Sequence, residues 1–206
     1  MGEVMVRVDR APLGALSTIL VVAALALTGC GQEAQSAAVS GDFPDMTLTE
    51  TKAPVQLLRN EAAGRIPPAV IETIEETQDV SVACLPEGDD PDGLIRAWHS
   101  TAIITMDKSS AWRVESVVDK LIATFTDQKW SARSLGQTAD FRSSLLTSKT
   151  TLAEIQIIGQ RPDKDQSSTS TAEVVEQVTI EVQVHGPCVR TEGGDSKEVL
   201  KLEGRS

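Results

Sequence analysis

The chain has 206 residues, 30 of them acidic and 19 basic, for a formal charge of −11 at pH 7. An acidic surface of this kind is repelled by nucleic acid and by an anionic membrane face, so neither is an expected partner. Hydrophobic residues make up 40% of the chain but aromatics only 3%, which predicts a core packed by Val, Ile, Leu and Ala.

The first predicted element is a leader. Arg7 and Arg10 precede an uncharged apolar run from Ala11 to Leu27, and Thr28, Gly29 and Cys30 close it. Basic flank, short apolar run and small residues, in that order, read as a secretory signal. The run is shorter than the roughly 20 apolar residues a spanning helix needs. Glu3 and Asp9 are unusual so close to the arginines, and a start at Met5 would remove Glu3.

Leu27-Thr28-Gly29-Cys30 matches the lipobox at all four positions, and here the chain resembles bacterial lipoproteins. The general pattern is similar to the small secreted lipoproteins of high-GC Gram-positive bacteria. The resemblance implies a diacylglycerol thioether on Cys30, cleavage between Gly29 and Cys30, and acylation of the new amino terminus. It also implies residence on the extracytoplasmic face of the cell membrane, held there by the lipid. Leu27, Thr28 and Gly29 would be the peptidase recognition residues, slim beside the scissile bond.

With Cys30 assigned to lipid, Cys84 and Cys188 remain. An extracytoplasmic compartment permits disulfides, and two cysteines have one intramolecular pairing. The alternative is a metal or catalytic thiol, but no Cys-x-x-Cys spacing is present. The disulfide is the expectation.

Residues 30–45 are small and polar and read as a tether. A single domain is expected over 46–190. Its first helix should run from about Glu50 to Ala63, capped by Thr49 or Thr51, with Val55, Leu57, Leu58 and Ala62 on its apolar side. Pro54 fits its first turn only, and Gly64 suits its end. Ala69 to Thr77 is ambiguous between a short helix and a strand entry.

Val80, Val82 and Cys84 alternate with polar residues, Pro86 to Gly93 is rich in turn residues, and Leu94 to Met106 reads as a long strand. On the latter, Trp98, Ala102, Ile104 and Met106 share one face and His99, Thr101 and Thr105 the other. Together they predict a hairpin. The clearest helix spans Ser110 to about Asp127, with Trp112, Val114, Val117, Val118, Leu121, Ile122 and Phe125 in a stripe wide enough to lie flat on a sheet. Ser109 or Ser110 would cap it.

Four strands should follow: Trp130 to Leu135, Phe141 to Thr147, Thr151 to Ile158, and Val178 to His185, with turns at Gly136-Gln137 and Ser148-Lys149. Arg161 to Thr171 reads as a polar loop and 191–206 as a polar, frayed tail. Short turns imply antiparallel pairing. The expected fold class is therefore α+β, two layers, a mostly antiparallel sheet covered on one face by one or two helices, with one disulfide.

Chemistry is sparsely marked. The chain has no Gly-x-Ser-x-Gly, His-Glu-x-x-His, Ser-x-x-Lys or phosphate-binding glycine loop, no tyrosine, and one asparagine, Asn60. Glu87 to Gly93 is acidic enough to invite Ca²⁺, yet it lacks the full ligand spacing, and Pro-Asp-Gly is an ordinary turn. His99 and His185 form a weak metal candidate: if their strands are neighbours, the two could meet, with Glu181 nearby. No catalytic residue and no cofactor other than the covalent lipid is expected. The expected role is a non-enzymatic binding module of the cell envelope with a protein partner. The alternative is a carrier holding a lipid or other apolar molecule between helix and sheet.

Overall fold

The computed structural model describes residues 41–107, 114–161 and 178–205. The leader with Leu27 to Cys30, most of the tether, the Ser109 and Ser110 caps, Trp112 and the loop after Arg161 lie outside the described residues.

Helix α1, Leu48–Gly64, opens on a capping box. Thr47 Oγ1 accepts from the Glu50 amide, and Glu50 Oε2 accepts from the Thr47 amide at 2.7 Å. The cap is thus Thr47 rather than Thr49 or Thr51. Thr51 instead bonds the Leu48 carbonyl, and Thr49 reaches Glu198 near the chain's end. Pro54 lies inside the helix, not in its first turn. An internal proline costs about 3 kcal/mol. Burial of Leu48, Thr51, Val55, Arg59 and Ala62 along one stripe offsets that cost. Leu57, expected to face the core, is 69% exposed, and Arg59 takes the inward position one turn beyond Val55.

A 3-10 turn, Pro68–Val70, leads into strand β1, Ile71–Ala83, which resolves the ambiguous stretch as strand. β1 pairs antiparallel with β2, Ile95–Met106, through the expected hairpin. Helix α2 is described over Val114–Thr126 and buries Val114, Val117, Val118, Leu121 and Phe125. It carries the chain to the far edge of the sheet. From there β3 (Ser131–Gln137), β4 (Phe141–Thr147), β5 (Glu154–Gln160) and β6 (Thr179–His185) return as a meander. Gly136 and Gln137 belong to β3, so that turn falls at residues 138–140. β7, Val189–Arg190, adds a short pairing to β2.

The sheet order is β1-β2-β6-β5-β4-β3, antiparallel throughout. Strand parity sorts the two faces. Trp98, Ala102, Ile104, Leu146, Ile155, Ile157, Ile180, Val182 and Val184 face the helices and are buried. α1 lies over β2 and β6, and α2 lies over β4 and β5. At Gly159 the second contact is close: a β-carbon there would stand 2.5 Å from Val114 Cγ1 and 2.6 Å from Val118 Cγ2. Arg65 ties the two helices, donating to Thr124 Oγ1 at 2.9 Å with its guanidinium over the Phe125 ring.

The fold is therefore two-layer α+β, as expected, and Cys84 and Cys188 are bonded, with Cα atoms 6.1 Å apart. Arg96 of β2 pairs with Ala83 on one side and Val189 on the other. The bridge joins the neighbours of those two residues, so it clasps the first hairpin to the end of β6.

The segment from Thr191 is not a frayed tail. Its last helix, α3 (Lys197–Leu202), is capped by Ser196 and buries Val199 completely. Lys52 Nζ donates to the Leu202 carbonyl at 2.7 Å, and Glu203 accepts from the Ser81 amide and hydroxyl. One inward apolar residue and a few specific bonds order a segment that composition marks as polar.

Candidate functional site

Both helices cover the same face of the sheet, so the other face carries no described helix. On it, β2 presents His99, Thr101, Ile103 and Thr105, and β6 presents His185, Gln183, Glu181 and Thr179. His99 and His185 are direct partners in the β2–β6 ladder. Their Nδ1 atoms stand 3.2 Å apart, and the ring centroids lie 4.1 Å apart with planes tilted by 40°. The two histidines of the sequence are thus brought together.

Glu181, expected beside them, is not there. It pairs with Ile103 and Ile158, and its carboxylate accepts from Gln183 Nε2. The acid that takes the place is Glu154, opposite His185 in the β5–β6 ladder. The row across three strands is therefore His99, His185, Glu154. Thr101 completes the surroundings, with Oγ1 2.9 Å from His99 Nε2. Thr101 shares the His99 face by simple strand alternation, although it was not singled out as a site residue. Glu154 was missed because only the strand order, with β6 between β2 and β5, puts it beside the imidazoles.

Burial governs the electrostatics. His99 is 6% exposed, and removal of its ring from water lowers its pKa to about 4, with the neighbouring His185 adding to the shift. His185 is lowered as well, by burial, against which the Glu154 carboxylate pulls it back up. Both rings are neutral at pH 7. A neutral pair can share one proton between the two Nδ1 atoms, one donating and one accepting, or present both lone pairs to an ion.

Other candidates resolve into structure. Asp90, from the acidic loop, is buried and turned inward, where its two oxygens accept from the Leu94 and Ile95 amides at 2.9 and 2.8 Å. It fixes the entry to β2. Arg59, 2% exposed, donates to Ser100 Oγ at 2.9 Å and pairs with Glu76, a polar link between α1 and the hairpin. Trp98 and Phe125 are fully buried core residues. A groove of about 300 Å³ runs along α1 beside Met46, Pro54, Leu57 and Leu58. A larger polar hollow lies between Asp92 to Arg96 and Glu192 to Ser196.

Among the described residues no helix is long and apolar enough to cross a membrane. Comparison with family models, with curated proteins and with solved structures returned no match.

Proposed function

We propose that the protein is a lipid-anchored extracytoplasmic lipoprotein whose domain is a non-enzymatic binding module of the cell envelope. The observation that carries this reading is the accounting of its cysteines. Cys84 and Cys188 are bonded to each other. Cys30 is the third, and it stands at the end of the apolar leader in Leu27-Thr28-Gly29-Cys30. A disulfide fits an oxidising compartment, and a lipobox cysteine fits attachment there, so the two features support one address.

The binding role rests on which face is available. The helices fill one side of the sheet, and the carboxylates of Asp90 and Glu203 and the guanidinium of Arg59 are engaged in holding the fold. No helix among the described residues covers the His99–His185 face, and Glu154 is exposed on it, so that face is the one offered to an envelope partner. The alternative, an apolar-ligand carrier, needs space between helix and sheet. The contact of Val114 and Val118 with Gly159 weighs against it at α2.

Fractionation of cells expressing the wild type and Cys30→Ala tests the anchor. The variant should leave the membrane fraction, and an unchanged fraction would sink the proposal. Crosslinking in intact cells should then capture a protein on the His99–His185 face. Native mass spectrometry showing a retained lipid would favour the carrier.

A further inference from the structure

The geometry points to a divalent-metal site on the face of the sheet that carries no described helix, where the Nδ1 atoms of His99 and His185 ligate a borderline ion of the Zn²⁺ class. It stands apart from the anchoring reading, since it rests on the sheet alone.

Three observations carry it. The first is spacing. Nitrogens bound to one tetrahedral Zn²⁺ at their usual bond lengths lie about 3.3 Å apart. The two Nδ1 atoms are 3.2 Å apart. The residues are direct cross-strand partners on two interior strands of the sheet. The register therefore brings the two rings side by side, and their rotamers set the bite.

The second is the partner behind the ligand. Thr101 Oγ1 lies 2.9 Å from His99 Nε2. A hydroxyl that accepts there holds the proton on Nε2 and leaves Nδ1 as a lone pair. Metal-ligating histidines are oriented by this kind of bond from the second ring nitrogen.

The third is the adjacent carboxylate. Glu154 is exposed and opposite His185, on the next strand. Among the described residues no three His, Cys, Asp or Glu side chains converge as placed. The ion thus begins from two protein nitrogens, and rotation of the Glu154 side chain or water completes its shell. Loading also requires the rings to turn apart from their present tilt of 40°. When His185 donates from Nδ1 in the free protein, that proton moves to its Nε2 as the ion enters. Both imidazoles stay neutral, and no proton is released.

The test uses the chain carrying Cys30→Ala, freed of metal by a chelator and titrated calorimetrically with Zn²⁺ at pH 7.5. One equivalent should bind. His99→Gln and His185→Gln should each weaken binding by at least about ten-fold, and Thr101→Val by about ten-fold. Thermal melts of the metal-free variants identify any that fail to fold. Imidazole ¹⁵N spectra of the unsubstituted rings provide the second readout, since Zn²⁺ should shift both Nδ1 resonances. Unshifted resonances would overturn the site. So would unchanged affinity in folded His99→Gln/His185→Gln, which would place the ion elsewhere, for instance at Asp92, Glu192 and Asp195.

Discussion

Val118 of α2 rests on Gly159 of β5 so closely that a β-carbon on the glycine would stand 2.6 Å from Val118 Cγ2. The neighbours are the Val114 and Val118 side chains of the helix and the Ile180 side chain, all in a filled core, and none can withdraw without cost. Gly159→Ala should therefore destabilise the domain by about 1–3 kcal/mol, the usual cost of overpacking. Chemical denaturation measures it, and a variant as stable as the wild type would mean that the helix can lift off the sheet.

The Cys84–Cys188 bridge closes a loop with a sequence separation of 104. Loop-closure entropy assigns a crosslink of that span about 4–5 kcal/mol, mostly through the unfolded chain. The Cys84→Ser/Cys188→Ser variant should lose about 2–5 kcal/mol in denaturation and show no difference between reducing and oxidising buffer. Wild type should be sensitive to reductant.

The histidine pair makes stability depend on pH. Both rings have folded-state pKa values below the ordinary 6.5, that of His99 at about 4. Between those values the unfolded chain binds more protons than the folded one. Stability is therefore full above pH 6.5 and falls as the pH drops toward 4, against a restraint from Glu154 on His185. The loss should be on the order of 1–2 kcal/mol over that interval. His99→Gln should flatten this part of the profile, and an equally steep profile in that variant would assign the loss to carboxylates instead.

The carboxyl-terminal helix should matter for folding. Val199 is fully buried, and Glu203 bonds Ser81 while pairing with Arg205. Burial raises the Glu203 pKa, but those bonds outweigh it and hold the group below its usual range. Truncation after Ser196 removes one buried valine, worth about 2 kcal/mol, together with this link to β1. The thermal midpoint should fall measurably. No change would return the segment to the status of a tail.

Much of the fold is legible in the sequence because alternation and helical spacing are strong between Leu94 and His185. The β2 alternation placed Trp98, Ile104 and Met106 inside and His99 and Thr101 outside, and the α2 stripe marked its buried face. Helix α1 was less legible. Its inward row includes Thr51 and Arg59, polar by composition, while Leu57 is apolar and exposed. Satisfied polar groups carry no hydrophobic periodicity, so a stripe count misplaces the face. α3 is short, and its burial rests on one valine. At the candidate site the two histidines were visible as a pair awaiting adjacency. Their surroundings were not, because cross-strand register joins residues such as His185 and Glu154 that lie far apart in sequence.

The contacts of Thr49 with Glu198 and of Lys52 with the Leu202 carbonyl place the start of α1 against the end of α3. The domain is therefore entered and left at one corner. A short peptide could join residue 47 to residue 203, and new ends could be opened in the turn at Pro86 to Gly93, with every strand keeping its neighbours. The disulfide would still clasp the opened hairpin. The two ends of the described domain thus meet at a seam, and its order belongs to the circle of contacts.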